Sequence, residues 1–220
     1  MQRRTLDIMF SVGGVALAGL LLILGLVMSS NASFAKDYVR DQLSQQQITF
    51  KEADLLTEEE KKAECLVEFA GQALTTGKQA ECYANEFIGL HVKTSGKGMT
   101  YAQLGDPQTA LRAQVAEAQK TGAANLADLQ KQLADITSTR ETVFKGETLR
   151  GLLLTSYGFS VFGVKGDEVS TVAYAGAGLM LLLSVAGLIH AFVTPRHRGF
   201  AIPESSGADG TGAKKVPANV

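Results

Sequence analysis

The sequence predicts an all-α membrane protein, in which two transmembrane helices flank an extracytoplasmic helical domain closed by one disulfide. Three observations predict it. Ile8 to Met28 runs 21 residues without a charge, and Thr171 to Val193 runs 23 with His190 as its only ionisable group. At about 1.5 Å per helical residue, each covers the roughly 30 Å hydrocarbon core of a bilayer. Arg3 and Arg4 precede the first stretch and Arg196 and Arg198 follow the second; flanking arginines of this kind sit on the cytoplasmic side. The two cysteines, Cys65 and Cys82, both fall between the stretches.

The layout that follows is a cytoplasmic N-terminus (1–7), a first span (8–29), an extracytoplasmic region (30–170), a second span (171–193) and a cytoplasmic tail (194–220), all in a plasma membrane. The two tails hold 6 Lys and Arg against 3 Asp and Glu, and residues 30–170 hold 15 against 19. Met1 to Ala35 also has the outline of a signal peptide, with Ser33-Phe34-Ala35 as a small-x-small cleavage site. Its apolar run exceeds the usual length of about 7–15 residues, and the chain from Lys36 to Leu43 continues as a helix, so a retained anchor is the favoured reading. In the oxidising compartment beyond the membrane, an isolated cysteine pair forms a disulfide. A zinc site is the alternative; it asks for four ligands, and only His91 lies near.

Element by element, residues 30–47 extend the first span as a polar helix. Its thin stripe of Tyr38, Val39 and Leu43 marks a stalk rather than a core helix. Ile48 to Phe50 is a short extended segment. Thr57 with Glu60 three residues on is a capping box, opening a helix whose buried face carries Cys65, Leu66 and Phe69. In this reading Glu58 to Lys62 is its solvated start. Thr75-Thr76-Gly77 breaks that element, and Lys78 to Val92 forms a second helix with Cys82, Phe87, Leu90 and His91 at spacings of three and four. The disulfide staples the two. Ser95 to Gly98 is a turn, and Met99 to Leu104 a short linker.

Asp106-Pro107 reads as a helix start, Asp as cap and Pro at the first helical position. One long helix is expected over 107–163, with Thr121-Gly122 as its weak point. Leu126, Leu129, Leu133, Ile136 and Val143 follow a/d spacing. Arg140 and Glu147 interrupt that pattern, which assigns the stripe to packing on the stalk or the disulfide-linked pair. Gly151 to Gly163 is apolar but too short to cross a bilayer. Its Tyr157, Phe159 and Phe162 suit the headgroup layer or a partner's spans. Val164 to Glu168 is expected to turn the chain into the second span, and Pro203 to Val220 to be disordered.

Candidate chemistry is sparse. The three histidines, His91, His190 and His197, occupy separate segments, and no acid, base and nucleophile set or metal-ligand spacing emerges, so neither a catalytic residue nor a cofactor or metal ligand is assigned. His190 reads as a helix end meeting headgroups, and His91 as a half-buried helix residue. Glu147 and Arg150 share a helix face, either as a buried pair fixing the junction or as an exposed pair of small value. Gly77-Lys78 and Gly96-Lys97-Gly98 lack the phosphate-loop pattern, and no basic, aromatic surface for nucleic acid is present. Gly14 with Ala18, and Ala173 with Ala177, place small residues four apart, allowing close approach of the spans to each other or to another protein.

The stretch Cys65 to His91, above all TTGKQAECYANEFIGLH (75–91), together with TVFKGETLRGLLLTSYGF (142–159), resembles a family of uncharacterised actinobacterial two-span membrane proteins. The resemblance runs from about Asp37 to Ala191 and implies the two-span topology. Some members bear an automatic label of aromatic-ring-opening dioxygenase; that chemistry needs an iron site, which these residues do not supply. The functional expectation is a non-enzyme, an accessory or structural subunit of a larger membrane complex, with a respiratory assembly as one host and the lipid bilayer and membrane proteins as partners. The alternative is a ligand-sensing or envelope-binding module, which would need an output that the tail after Pro195 does not offer.

Overall fold

A computed structural model describes residues 3–193 of the 220-residue chain. The arginines and His197 after the second apolar stretch, and the tail expected to be disordered, lie outside the described residues. Among those residues the fold is nearly all helical, with two long apolar helices and one disulfide. The elements are α1 (Arg3–Gln45), two 3₁₀ turns (Ala53–Leu55 and Glu60–Lys62), α2 (Glu64–Glu68), α3 (Gly77–Cys82), a π segment (Tyr83–Ile88), α4 (Gly89–Ser95), α5 (Gly105–Thr121) and α6 (Leu126–Val193). Neither α1 nor α6 contains a proline, and the four prolines of the chain fall at 107, 195, 203 and 217. Nothing in either sequence therefore removes an N–H or clashes with the preceding turn.

The single helix expected over 107–163 is two helices. Gly122 takes a left-handed backbone (φ 66°) and closes α5, its N–H donating to Ala118 O, a conformation that costs glycine little. The turn expected at Val164 to Glu168 is absent: α6 continues unbroken to Val193. Gly163 and Gly166 are accommodated inside it because each faces α1, against Lys36 and Ala32. Asp106 is not the cap of α5; Leu104 is, and Asp106 and Pro107 lie in the first turn, where an acid suits the helix dipole and a missing N–H is harmless. The turn before it is held by Thr100 and Gln103, which cap each other's backbone N–H groups (2.9 and 3.3 Å).

The chain divides into two compact units, residues 1–22 with 174–220, and residues 23–173. In the first, α1 and α6 pair through small side chains. Ser11 lies against Gly187 and Ser184 against Gly14, while Ala18 and Ala177 are fully buried. Large side chains such as Phe10, Leu20, Leu182 and Phe192 point away.

In the second unit the arrangement is the reverse. Leu66 and Leu74 are buried, with Phe50, Ala80, Cys82, Ala84 and Leu153 completing the core. Val39 and Leu43 of α1 belong to it, so residues 30–47 are more than the expected stalk: a single turn of apolar stripe is enough when α3 and α6 close over it. Thr49 and Ala73 form an isolated antiparallel bridge, with Phe50 N donating to Gln72 O (2.9 Å) and Leu74 N to Ile48 O (2.8 Å). Cys65 and Cys82 are joined, Cα to Cα 6.1 Å, tying α2 to the end of α3. Thr76 caps α3 in a complete capping box with Gln79, a signal present in the sequence but overlooked. Close backbone approach seats α3 and α4 on α6: a Cβ at Gly77 would overlap Ser160, and one at Gly146 would overlap Val92. The a/d stripe meets α5 as well as α4. Gln108 donates to Thr137 (2.8 Å), and Arg140 donates to Gln108 Oε1 (2.7 Å) and to Tyr101 O (3.2 Å) while its guanidinium lies 4.1 Å from the Tyr101 ring. Val143 packs with Val92 and Leu104.

Candidate functional site

Two polar groupings lie around α4, one saturated and one not. The saturated one is centred on Glu60, whose side chain is buried although the sequence placed Glu58 to Lys62 in solvent. The capping box explains the burial. Thr57 N donates to Glu60 Oε2 (2.7 Å) and Glu60 N to the Thr57 hydroxyl (3.2 Å), which folds the carboxylate back under its own turn. Lys51 Nζ donates to Oε1 (2.8 Å), and His91 Nε2 to the same oxygen (3.1 Å). Burial by itself would raise the Glu60 pKa. The hydrogen bonds from Lys51, from the Thr57 backbone and hydroxyl, and from His91 outweigh it and hold the carboxyl down at about 2. Lys51 also lies over the Phe87 ring (5.1 Å), which meets His91 edge-on (4.5 Å). At neutral pH this carboxylate is ionised and accepts three hydrogen bonds. The cluster clamps Lys51, Thr57 and His91 together. The Tyr83 hydroxyl, whose pKa burial pushes up, stands in the same aromatic row beside Phe50 and Phe87.

The unsaturated grouping lines a cleft of about 510 Å³ bounded by the π segment, α4, the Gly98 to Thr100 loop and α6. Arg150 is its anchor. Its Nη1 donates to Glu147 Oε2 (3.3 Å) and its Nη2 to Asn85 Oδ1 (3.2 Å), while its Nε is buried without a hydrogen-bond partner. Asn85 and Glu86 lie on the π segment, a wide turn that recurs at functional sites. Gly89 stands next to the guanidinium; a Cβ there would lie 3.8 Å from Nε. The pair expected at Glu147 and Arg150 is therefore neither simply buried nor simply exposed: it is half-open, and shared with a residue 65 positions away. Sequence spacing exposed the pair but held no sign of Asn85 or Gly89.

The other singled-out residues separate into three places. Cys65 and Cys82 staple α2 to α3. Gly14, Ala18 and Ala177 are consumed by pairing of α1 with α6, and Ala173 is buried as well. Tyr157 is half-buried, whereas Phe159 and Phe162 are exposed. His190 Nδ1 lies 2.9 Å from Asp7 Oδ2, so it pairs with α1. Among the described residues no three His, Cys, Asp or Glu side chains gather as metal ligands. No protein-family model, curated protein or solved structure matches the chain, and the sites are read from their own chemistry.

Proposed function

We propose that the chain is a non-catalytic integral membrane protein, an accessory or structural subunit of a larger membrane complex. In this proposal both termini are cytoplasmic, 8–29 and 171–193 cross the bilayer, and 30–170 stands outside; membership of the two-span family that 75–91 and 142–159 resemble belongs to the same proposal. Support for the membrane comes from the exposed side chains of α1 and α6. Only 17% of the most apolar window of each is buried, and a bilayer is the environment that removes such surface from water.

The subunit reading rests on an exposed apolar band, all of which except Phe34 lies beyond the hydrocarbon and headgroup layers when the spans end as proposed. Phe34, Tyr38, Leu152, Phe159 and Phe162 are exposed, with Phe34 stacked on Tyr38 (5.9 Å) and Tyr38 against Phe159 (6.4 Å). Phe159 lies 12 residues before Thr171, about 18 Å along a helix, whereas the headgroup layer accounts for roughly 5–8 Å on each side. Charged residues intervene: Lys36 pairs with Asp167, and Lys165 with Glu168 (2.7 Å). A protein surface is the partner that would cover this band. The small-residue faces no longer argue for a partner, since the spans use them on each other.

Two experiments test the proposal. A Lys97→Cys probe should react with membrane-impermeant maleimide on intact cells; reaction only after permeabilisation overturns the topology. Extraction in mild detergent should recover the chain with a stoichiometric membrane protein, and Phe159→Ser with Leu152→Ser should release it. A lone monomer, or a partner indifferent to both substitutions, sinks the subunit reading.

A further inference from the structure

The cleft beside Arg150 holds two charges without an ion pair, an observation that does not depend on the subunit proposal. Six ionised side chains line it. Two pairs satisfy themselves, Lys62 with Glu59 (2.5 Å) and Arg150 with Glu147 (3.3 Å). Glu86 and Lys93 make no ion pair among the described residues and stand about two turns apart on the continuous helical run from the π segment into α4. The cleft therefore offers one unpaired carboxylate and one unpaired ammonium group. Its volume of about 510 Å³ falls within the range of about 300–1,000 Å³ usual for small-molecule sites. Ala63, Leu90 and Met99 supply an apolar wall.

We propose that this cleft binds a zwitterion of dipeptide size, its carboxylate on Lys93 and its ammonium on Glu86. A ligand bearing only a carboxylate would leave Glu86 unpaired. A ligand bearing only an ammonium would leave Lys93 unpaired. A zwitterion answers both. The aliphatic side chains of the peptide would lie on the wall of Leu90 and Met99. The widened π turn belongs to the recognition: it carries Asn85, which holds the Arg150 fork in place (3.2 Å), next to Glu86, which faces the ammonium.

The test is isothermal titration of the full chain in lipid nanodiscs with L-leucyl-L-leucine, its N-acetyl derivative and its methyl ester. The free dipeptide should bind with Kd near 1 mM or tighter, and each blocked form about tenfold more weakly. Glu86→Gln should abolish the preference for the free amine and Lys93→Gln that for the free carboxylate. Both residues are exposed, and retention of the native melting temperature shows that each variant is folded. Absence of heat up to about 10 mM dipeptide, equal binding of all three peptides, or native-like selectivity in both variants overturns the proposal.

Discussion

The two compact units of this chain are packed by opposite rules. In the pair formed by the ends of α1 and α6, the buried residues are Ser11, Ala18, Ala177, Ser184 and Ala191, and the large side chains face outward, Leu182 at 71% exposure and Phe192 likewise at 71%. In the disulfide-linked unit, Leu66, Leu74, Leu104 and Val143 are at or below 1% exposure and charges cover much of the outside. Water rewards the second arrangement by the apolar area it hides. A hydrocarbon solvent gives no such reward, so close approach of small residues decides helix pairing there. The contrast supports the proposed bilayer placement, because one chain obeys both rules in different places.

The comparison breaks most readily at the cores. Leu74→Ala should lower the stability of the outer unit by about 3 kcal/mol through lost burial and a cavity. Leu182→Ala, in nanodiscs, should cost less than about 0.5 kcal/mol, as expected for a side chain that is 71% exposed. Thermal unfolding followed by circular dichroism distinguishes them; similar losses would mean that the apolar outer face of the spans is covered by protein. Next in size, Cys65→Ser with Cys82→Ser, or reduction, should remove roughly 3 kcal/mol, from release of a loop of 16 residues. Proteolysis should then cut within residues 46–100 and leave the pairing of the spans intact.

Glu60 gives a sharper test, since its contribution has a pH signature. Its folded pKa of about 2 lies below the ordinary 4.5, so the stabilisation is fully present above about 4.5 and is lost as the pH falls toward 2. The loss should be about 3 kcal/mol, and Glu60→Gln should flatten that part of the stability profile while lowering stability at pH 7. A native-like acid profile in the variant would show that the Lys51–Glu60–His91 contacts contribute nothing. The smallest effect is expected in the spans. Gly14→Ala should weaken their pairing by roughly 1 kcal/mol, the low end for overpacking because the Ser184 hydroxyl can rotate away. Cross-linking between cysteines introduced on α1 and α6 would measure it.

Where the sequence was informative, the property was local. Two apolar runs, the Thr57–Glu60 capping box and the cysteine pair are each written in neighbouring residues or in the count of a rare residue type, and each is present in the fold. The break at Gly122 was legible for the same reason, because a glycine there takes a left-handed turn cheaply. Where the expectation failed, the deciding interaction came from a distant segment. Val39 and Leu43 make a stripe too thin to announce a core helix, and they became core residues only once Leu74, Ala80 and Leu153 arrived from elsewhere. Gly163 and Gly166 resemble a turn in one dimension but sit in an unbroken helix because α1 fills the space their missing side chains leave.

The sequence by itself determined that the chain is helical, apolar at two helices and cross-linked once, since hydropathy, helix propensity and thiol number do not depend on what lies opposite. Tertiary structure alone decided that Glu60 is buried, that the small residues of the spans face each other, and that Arg150 meets Asn85 across 65 residues while its Nε goes unmatched. A hydrogen bond or a close approach belongs to two positions at once, and only the fold chooses which positions those are.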